Sequence, residues 1–185
     1  MNPRQLELLR ELDADVTSHS RGTLLEHLQG THDLLATWGN APDICAAGLF
    51  HSIYGTYAFD KRSAELSMRE KIRDAIGLDA ESLVHLFCVT DRRCFYDHLG
   101  ESRFTVRDIV EDRDLEMDRN TLAVLIEIEV ANVVDQVPRR SRKKALRAVE
   151  WYKPAFARSG DYISAGAATA AEQLFDAVLA NEVMR

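Results

Sequence analysis

The amino-acid sequence predicts an all-α protein that folds as a single domain. Apolar residues recur at helical spacing in successive segments, and residues that commonly begin or end helices stand at the segment boundaries. No stretch shows sustained alternation of apolar and polar residues, so no β-sheet is predicted. A chain of 185 residues is long enough for one well-packed core and short for two.

Residues at the helix boundaries define the predicted elements. Gly39 is expected to end the first long core helix, and Pro42 is expected to begin the next one. Ser67 and Glu70 have the spacing of a capping box, and Thr105 is expected to cap a short acidic helix. The predicted helices, in chain order, span residues 3–14, 23–38, 42–54, 67–77, 79–89, 105–112, 119–137 and 167–183.

The composition limits the classes of protein to which the chain can belong. A net charge of −7 and a pI near 5.4 argue against a protein whose main function is to bind nucleic acid. Three cysteines without CxxC spacing, and a polar start without a secretory signal, predict reduced thiols in a cytoplasmic protein. No uninterrupted apolar run has membrane-spanning length, so no membrane partner is expected.

Two histidines lie in the most apolar part of the chain. His27 lies within the predicted helix 23–38, and His51 follows Leu49 and Phe50 near the end of the next helix. Histidines on two packed helices can converge, and a neutral imidazole is the commonest metal ligand in proteins. A histidine on an apolar helix is also often a core residue that bonds to a neighbour. The pair therefore predicts either one shared site or two separate core residues.

A polar stripe interrupts the apolar predicted helix 119–137. Glu129, Asn132 and Asp135 are three residues apart and hence share one helix face, to which Gln136 also belongs. Such a stripe faces either a site or water. If it faces the two histidines, Asp135 or Glu129 would be available to complete a ligand shell around a metal.

The histidine segments also resemble a known motif. LEHLQGTHDLLATWG followed by AAGLFHS resembles the HD superfamily of metal-dependent phosphohydrolases, in which one helix carries a histidine and the next ends in His-Asp. The later segments SMREKIRDAIGLDAESLVHLFCVTD and IEIEVANVVDQVP are similar to parts of RelA/SpoT-type hydrolase domains, and the resemblance spans residues 21–137. It implies an HD-like helical bundle that binds a divalent metal (iron, manganese or zinc) through His27 and His51. Asn132 stands at the position of the family's last aspartate ligand, and Asp135 is the replacement carboxylate that we expect beside it.

The sequence departs from the family motif at four positions. Ser52 and Asn132 occupy the places of two aspartate ligands, and Gly55 and Thr56 occupy the places of an acidic pair that helps to activate water. A hydroxyl and an amide hold a divalent cation less strongly than carboxylates do. We therefore expect little or no hydrolysis of guanosine polyphosphates. Tyr54 and Thr56 could instead act in the site as neutral hydrogen-bond donors.

Other polar and aromatic residues are weaker candidates for a site. Arg21, in a predicted polar break, either lines the mouth of the same cavity or lies on a solvated loop. The basic run 139–147 is expected to be a solvated helix surface, with binding of phosphate or an acidic partner as the alternative. Trp151 and Tyr152 form an aromatic shelf, and the stretch 57–66 could cover a pocket.

Three functions fit these observations. The first is an enzyme that acts on a small metabolite with a metal held by the two histidines, of hydrolase type or of the oxygenase type that some HD proteins resemble. The second is a metal-free enzyme or binding protein that uses the histidines as acids, bases or donors, with Arg21, Tyr54 and Thr56 as catalytic candidates. The third is an interaction module whose degenerate pocket has no ligand. The expected partner is a small molecule, anionic in one version, and a homodimer is left open.

Overall fold

The structure is a computed structural model that describes residues 1–56 and 62–180. Most of these residues lie in helices, which confirms the helical class predicted from the sequence. None of the described helices is both long enough and apolar enough to cross a membrane. The α-helices are α1 (Pro3–Glu11), α2 (Leu24–Thr37), α3 (Pro42–Phe50), α4 (Arg69–Ile76), α5 (Leu78–Val89), α6 (Arg119–Gln136), α7 (Arg142–Arg158) and α8 (Ala165–Ala180). Shorter 3-10 turns span Leu66–Met68, Arg92–Asp97, Val137–Arg139 and Gly160–Tyr162.

Helix α6 lies at the centre of the bundle. It contacts α2, α3, α5 and α8, and both α2 and α5 also pack against α3. Leu122, Leu125 and Ile128 in α6 are fully buried, as expected for a helix with neighbours on several sides. Burial of each such side chain contributes about 1.5–3 kcal/mol to folding.

Close packing of α2 against α3 brings the two histidine-bearing segments together. A Cβ atom added at Gly48 in α3 would lie 2.3 Å from Leu35 Cδ1 in α2, so a larger residue would hold the helices apart. A capping box begins α2. Glu26 N donates to Thr23 Oγ1 (3.2 Å), and Thr23 N donates to Glu26 Oε2 (2.9 Å).

Helix α3 ends at Phe50, whereas the sequence predicted a helix that continues to residue 54. Residues 51–54 form a turn, and Gly55 follows with a φ of +78°, a value that favours glycine. The turn keeps His51 at the C-terminal end of α3, where its side chain is buried in the interior.

The prediction of a protein without β-sheet was wrong. Two small antiparallel hairpins interrupt the helices of the described chain. In the first, β1 (Ser18–His19) pairs with β2 (Gly22–Thr23), which joins the predicted polar break to the first residue of the predicted helix 23–38. In the second, β3 (Arg103–Asp108) pairs with β4 (Arg113–Asp118) and replaces the predicted helix 105–112.

A short alternating pattern explains the second hairpin. Phe104, Val106 and Asp108 are buried, and the residues between them in β3 are exposed. Asp112 has a φ of +54°, which allows the chain to reverse before β4. The alternation extends over only six residues, and Thr105 followed by several charges is equally typical of a capped acidic helix.

One further boundary prediction differs from the structure. Ser67 does not cap a helix: it lies in a 3-10 turn, and α4 begins at Arg69 without a side-chain hydrogen bond at its N-terminus. The end of the predicted helix 167–183 and residues 57–61 of the predicted pocket cover lie outside the described residues.

Candidate functional site

His27 and His51 meet in the interior, as the shared-site alternative predicted. The Nε2 atoms of the two imidazoles are 3.2 Å apart, and the side chains are 1% and 2% exposed. The rings meet edge to face, with centroids 5.0 Å apart. We refer to these two residues as the histidine pair.

The outer nitrogens of the histidine pair determine which atoms carry hydrogen. His51 Nδ1 lies 2.7 Å from the carbonyl oxygen of Gly48, and a carbonyl can only accept, so Nδ1 carries the hydrogen. His27 Nδ1 lies 2.6 Å from Asp135 Oδ2 and donates to that carboxylate in the same way. Both Nε2 atoms therefore turn a lone pair toward each other.

Two lone pairs that face each other at 3.2 Å repel, and a positive charge between the Nε2 atoms would remove that repulsion. One additional proton would do so, because it converts the contact into an N–H···N hydrogen bond. The Asp135 carboxylate, in contact with His27, balances that charge. The arrangement is thus suited to hold one proton and to exchange it with a bound molecule.

Asp135 is held in position by two neighbours. Arg139 Nη2 donates to Asp135 Oδ1 (3.0 Å), one helical turn further along the chain. Gly30 in α2 leaves room for the same oxygen, since a Cβ atom added there would lie 2.0 Å from Asp135 Oδ1. Asp135 therefore orients His27 from behind.

A third histidine extends the cluster. The ring of His19 stacks on the ring of His27, with centroids 4.5 Å apart and an angle of 12° between the planes. Gln136 Nε2 lies 3.0 Å from His19 Nε2 and donates to it. Burial and the neighbouring charge of His27 lower the pKa of His19 to about 4. Burial, followed by the charge of His27, also lowers the pKa of His51 well below its usual value.

A cavity of about 640 Å³ opens over the histidine pair, and we call it the histidine cavity. Among the described residues that line it, none is acidic. Five lining side chains carry a positive charge: Arg21, Arg92, Arg139, Arg140 and Lys144. Arg92 and Arg139 pair with Glu129 and Asp135, whereas Arg21, Arg140 and Lys144 form no ion pair with a described residue, so the charge of the lining is suited to an anion.

Two buried polar atoms in the wall of the histidine cavity have no hydrogen-bond partner among the described residues. They are Ser52 Oγ and Arg92 Nη1. The Arg92 guanidinium is held by Glu129 Oε2, 2.8 Å from Nε, and by the Phe87 ring, whose centroid is 4.4 Å from Cζ. A buried donor without a partner costs about 1–3 kcal/mol. A ligand with acceptor atoms would remove that cost.

Five of the predicted site residues line the histidine cavity: Arg21, His27, His51, Thr56 and Asn132. Tyr54 does not, contrary to its predicted role in the site. Its hydroxyl donates to Oε1 of the buried Glu81 (3.1 Å), which also accepts from Arg69 Nε (2.6 Å). Burial, together with the Glu81 carboxylate, raises the pKa of Tyr54. Tyr54 therefore belongs to a structural network on α4 and α5.

The polar stripe on α6 faces the interior, yet its members do not form a ligand shell. Glu129 accepts from the Tyr152 hydroxyl (2.6 Å) and from Asn132 Nδ2 (3.2 Å), and it pairs with Arg92. The Asp135 carboxylate contacts Nδ1 of His27, on the side of the ring away from His51. Both carboxylates are thus engaged outside the space between the two Nε2 atoms.

This donor set does not fit the divalent metal centre that the resemblance implies. No group of three or more His, Cys, Asp or Glu side chains suited to a metal ion occurs in the part of the chain that the structure describes. The histidine pair supplies two nitrogen donors, but Ser52 and Asn132 bring no charge to the cavity and the surrounding cations disfavour a metal ion. Without a carboxylate, nothing in this set balances a charge of +2.

The cation wall of the histidine cavity, formed by Arg139, Arg140 and Lys144, could not be placed beside the histidines from the sequence alone. Residues 139–147 were expected to form a solvated helix surface, with binding of phosphate or an acidic partner as the alternative. Lys143, Lys144 and Arg147 are exposed, and Lys144 also lines the cavity. Arg140 has an extended backbone before the start of α7, and Lys144 lies in the first turn of that helix, so no helical spacing links the two residues. The signal in the sequence was the density of basic residues, which does not indicate the histidines as their neighbours.

Comparison with known proteins gives one match. A family model described as "Domain of unknown function (DUF6817)" matches residues 8–92, which include both members of the histidine pair and Arg92. No curated protein and no solved structure matches the chain. The resemblance to HD-type hydrolases stays a prediction.

Proposed function

We propose that this protein is an enzyme that binds a small anionic metabolite in the histidine cavity and transfers a proton to or from it without a resident metal. The observation that supports this proposal most directly is the 3.2 Å contact between the Nε2 atoms of the histidine pair, below a cavity lined by five cationic side chains. The contact is suited to one shared proton, and the cationic lining is suited to a negative ligand.

Each part of the site has a role in this proposal. The histidine pair holds the proton that is exchanged, and Asp135 keeps His27 in the tautomer that turns Nε2 toward His51. The cationic wall binds the anion, and the unpartnered Arg92 Nη1 donates to it. A positioned acid or base of this kind contributes roughly 10²–10⁴-fold to a reaction rate.

A metal-dependent, HD-like function is the second candidate. One observation favours it: two nitrogens bound to one metal at about 2.1 Å, at tetrahedral or octahedral angles, are about 3.0–3.4 Å apart. The separation of 3.2 Å in the histidine pair falls in that range. The missing carboxylates and the surrounding cations place this function second.

Anion binding is tested with inorganic phosphate by isothermal titration calorimetry. We expect phosphate to bind, and we expect the Arg140→Ala/Lys144→Ala double variant to bind it at least about tenfold more weakly, because charge-assisted bonds are lost. Lys153→Ala is the matched control, since Lys153 also lies on α7 but pairs with Asp176 and does not line the cavity. Equal phosphate affinity in the double variant and in the control would contradict the proposed site.

Catalysis is tested with a panel of phosphorylated and carboxylated metabolites. Turnover of a bound member should persist in EDTA and should fall about 100-fold or more in His51→Gln, which retains polarity but cannot carry the proton. Loss of turnover in EDTA, with recovery on addition of manganese, would favour the metal-dependent candidate. An absence of both phosphate binding and turnover would leave the interaction module as the remaining function.

A further inference from the structure

A second cavity lies beside the histidine cavity. It has a volume of about 340 Å³ and contains Trp151, so we call it the tryptophan cavity. Arg92, Arg140, Lys144 and Tyr152 line both cavities. Because four residues are shared, the two cavities adjoin each other.

Trp151 is the one exposed aromatic side chain, apart from histidine, in the described part of the chain, and it is 39% exposed. Two neighbours fix the orientation of its indole. Tyr96 and Tyr152 both meet it edge to face, with centroid distances of 5.4 and 4.7 Å. A rigid, exposed aromatic ring at the mouth of a cavity is suited to stack on another planar ring.

The charges of the tryptophan cavity match those of its neighbour. Its two carboxylates are neutralised, because Asp91 pairs with Arg93 (2.5 Å) and Glu129 pairs with Arg92 (2.8 Å). Two cations of this cavity lie on α7: Lys144 and Arg147. Neither forms an ion pair with any described residue. The uncompensated charge is positive, so a neutral or anionic planar group fits beside Trp151 and a cationic one does not.

From the shared lining and the exposed Trp151 ring we infer that one ligand occupies both cavities: an aryl-substituted anion, with its anionic group in the histidine cavity and its planar aromatic ring stacked on Trp151. The inference rests on the proposed function, because it assigns the anionic end of the ligand to the histidine cavity. It adds the part of the ligand that determines selectivity.

Tryptophan fluorescence can test the inference directly. The chain contains two tryptophans, Trp38 and Trp151, so a Trp38→Phe protein reports on Trp151 alone. We expect phenyl phosphate to quench this fluorescence and to bind about tenfold more tightly than inorganic phosphate, as a stacked aromatic pair provides. Cyclohexyl phosphate has a similar size but no planar ring, so its affinity should exceed that of inorganic phosphate by less than the affinity of phenyl phosphate does.

A substitution at Trp151 completes the test. In a protein with Trp38 intact, Trp151→Leu should remove the preference for phenyl over inorganic phosphate and leave the affinity for inorganic phosphate unchanged, both measured by calorimetry.

If wild-type protein binds phosphate and phenyl phosphate equally, the aromatic subsite is wrong and the proposed function stands. If neither probe binds, both proposals fail. A wild-type dimer that becomes monomeric in Trp151→Leu, measured by analytical ultracentrifugation, would show instead that Trp151 contacts a second copy, and would overturn the inference.

Discussion

At the scale of single residues, the chemistry depends on which nitrogen of each imidazole carries hydrogen. The Gly48 carbonyl and the Asp135 carboxylate fix both Nδ1 atoms as donors, and this turns both Nε2 lone pairs inward. In the proposed function the carboxylate contributes charge as well as orientation, since it would balance the proton of the histidine pair. An amide in its place would accept the same hydrogen bond without the charge.

The first prediction concerns this carboxylate and the glycine beside it. Asp135→Asn should lower turnover of an identified substrate by about 10–100-fold, because it keeps the hydrogen bond and loses the charge. Gly30→Ala should have an effect in the same direction, since its methyl group would displace Asp135 from His27. Nitrogen-15 chemical shifts of the imidazoles, recorded by NMR, should show a changed protonation pattern in both variants.

Gly160→Ala is the matched control for the glycine substitution, because an added Cβ atom there meets no atom within 4 Å. Wild-type turnover and unchanged imidazole shifts in both Asp135→Asn and Gly30→Ala would show that Asp135 plays no part in the proton exchange.

At the scale of elements, the sequence predicted helices correctly wherever apolar residues recur on one helix face over several turns. It predicted α2 and α6, and α3 as far as Phe50, because apolar residues at helical spacing leave few alternatives. The convergence of His27 and His51 was one of the two alternatives that it left open. It did not predict the hairpin of β3 and β4, since six alternating residues are too few to distinguish a strand from a capped helix. It also missed the cation wall, because His27 and Arg140 are distant in sequence and only the packing of α2, α6 and α7 brings their sides of the cavity together.

The second prediction distinguishes the strand from the predicted helix cap. Thr105→Val should leave the free energy of unfolding within about 0.5 kcal/mol of wild type, because a β-branched residue suits an exposed strand position. A helix cap lost at this position would cost about 1 kcal/mol. Val106→Ala should cost about 1–2 kcal/mol, since Val106 is buried and its truncation leaves a cavity. Urea denaturation gives the free energy of unfolding of wild type and of both variants. A larger loss in Thr105→Val than in Val106→Ala would argue for the helix.

At the scale of the whole molecule, charge is distributed unevenly. The chain carries a net charge of −7, yet the described lining of the histidine cavity is entirely without carboxylates. Folding also places His19 and His51 where burial opposes their protonation, beside a wall of cations. The stability of the fold should therefore depend on pH through these imidazoles.

The third prediction states the direction of that dependence. The pKa of His19 is about 4 in the folded protein, whereas an unfolded histidine titrates near 6.5. Between these values the unfolded chain binds a proton that the folded chain does not, so stability is complete above about pH 6.5 and falls as the pH decreases. The lowered pKa of His51 acts in the same direction.

Urea denaturation at pH 7.5 and pH 5 measures this effect. We expect wild type to lose up to about 2 kcal/mol between these two values through His19, and His19→Gln to lose less. His98→Gln is the control, because His98 lies outside the cavity and pairs with Glu101. An equal loss in all three proteins would show that His19 does not contribute to the pH dependence.

The matched segment, residues 8–92, divides the site between two stretches of the chain. It includes the histidine pair and Arg92. Three parts of the site come later in the chain: Asp135, the cations of α7 and of the turn before it, and Trp151. The carboxylate that orients His27 and most of the cations around the cavities therefore lie outside the matched segment. Two proteins that share only this segment can both contain the histidine pair and still differ at Asp135 and at Trp151, so a functional assignment should be transferred between them only when the later helices also agree.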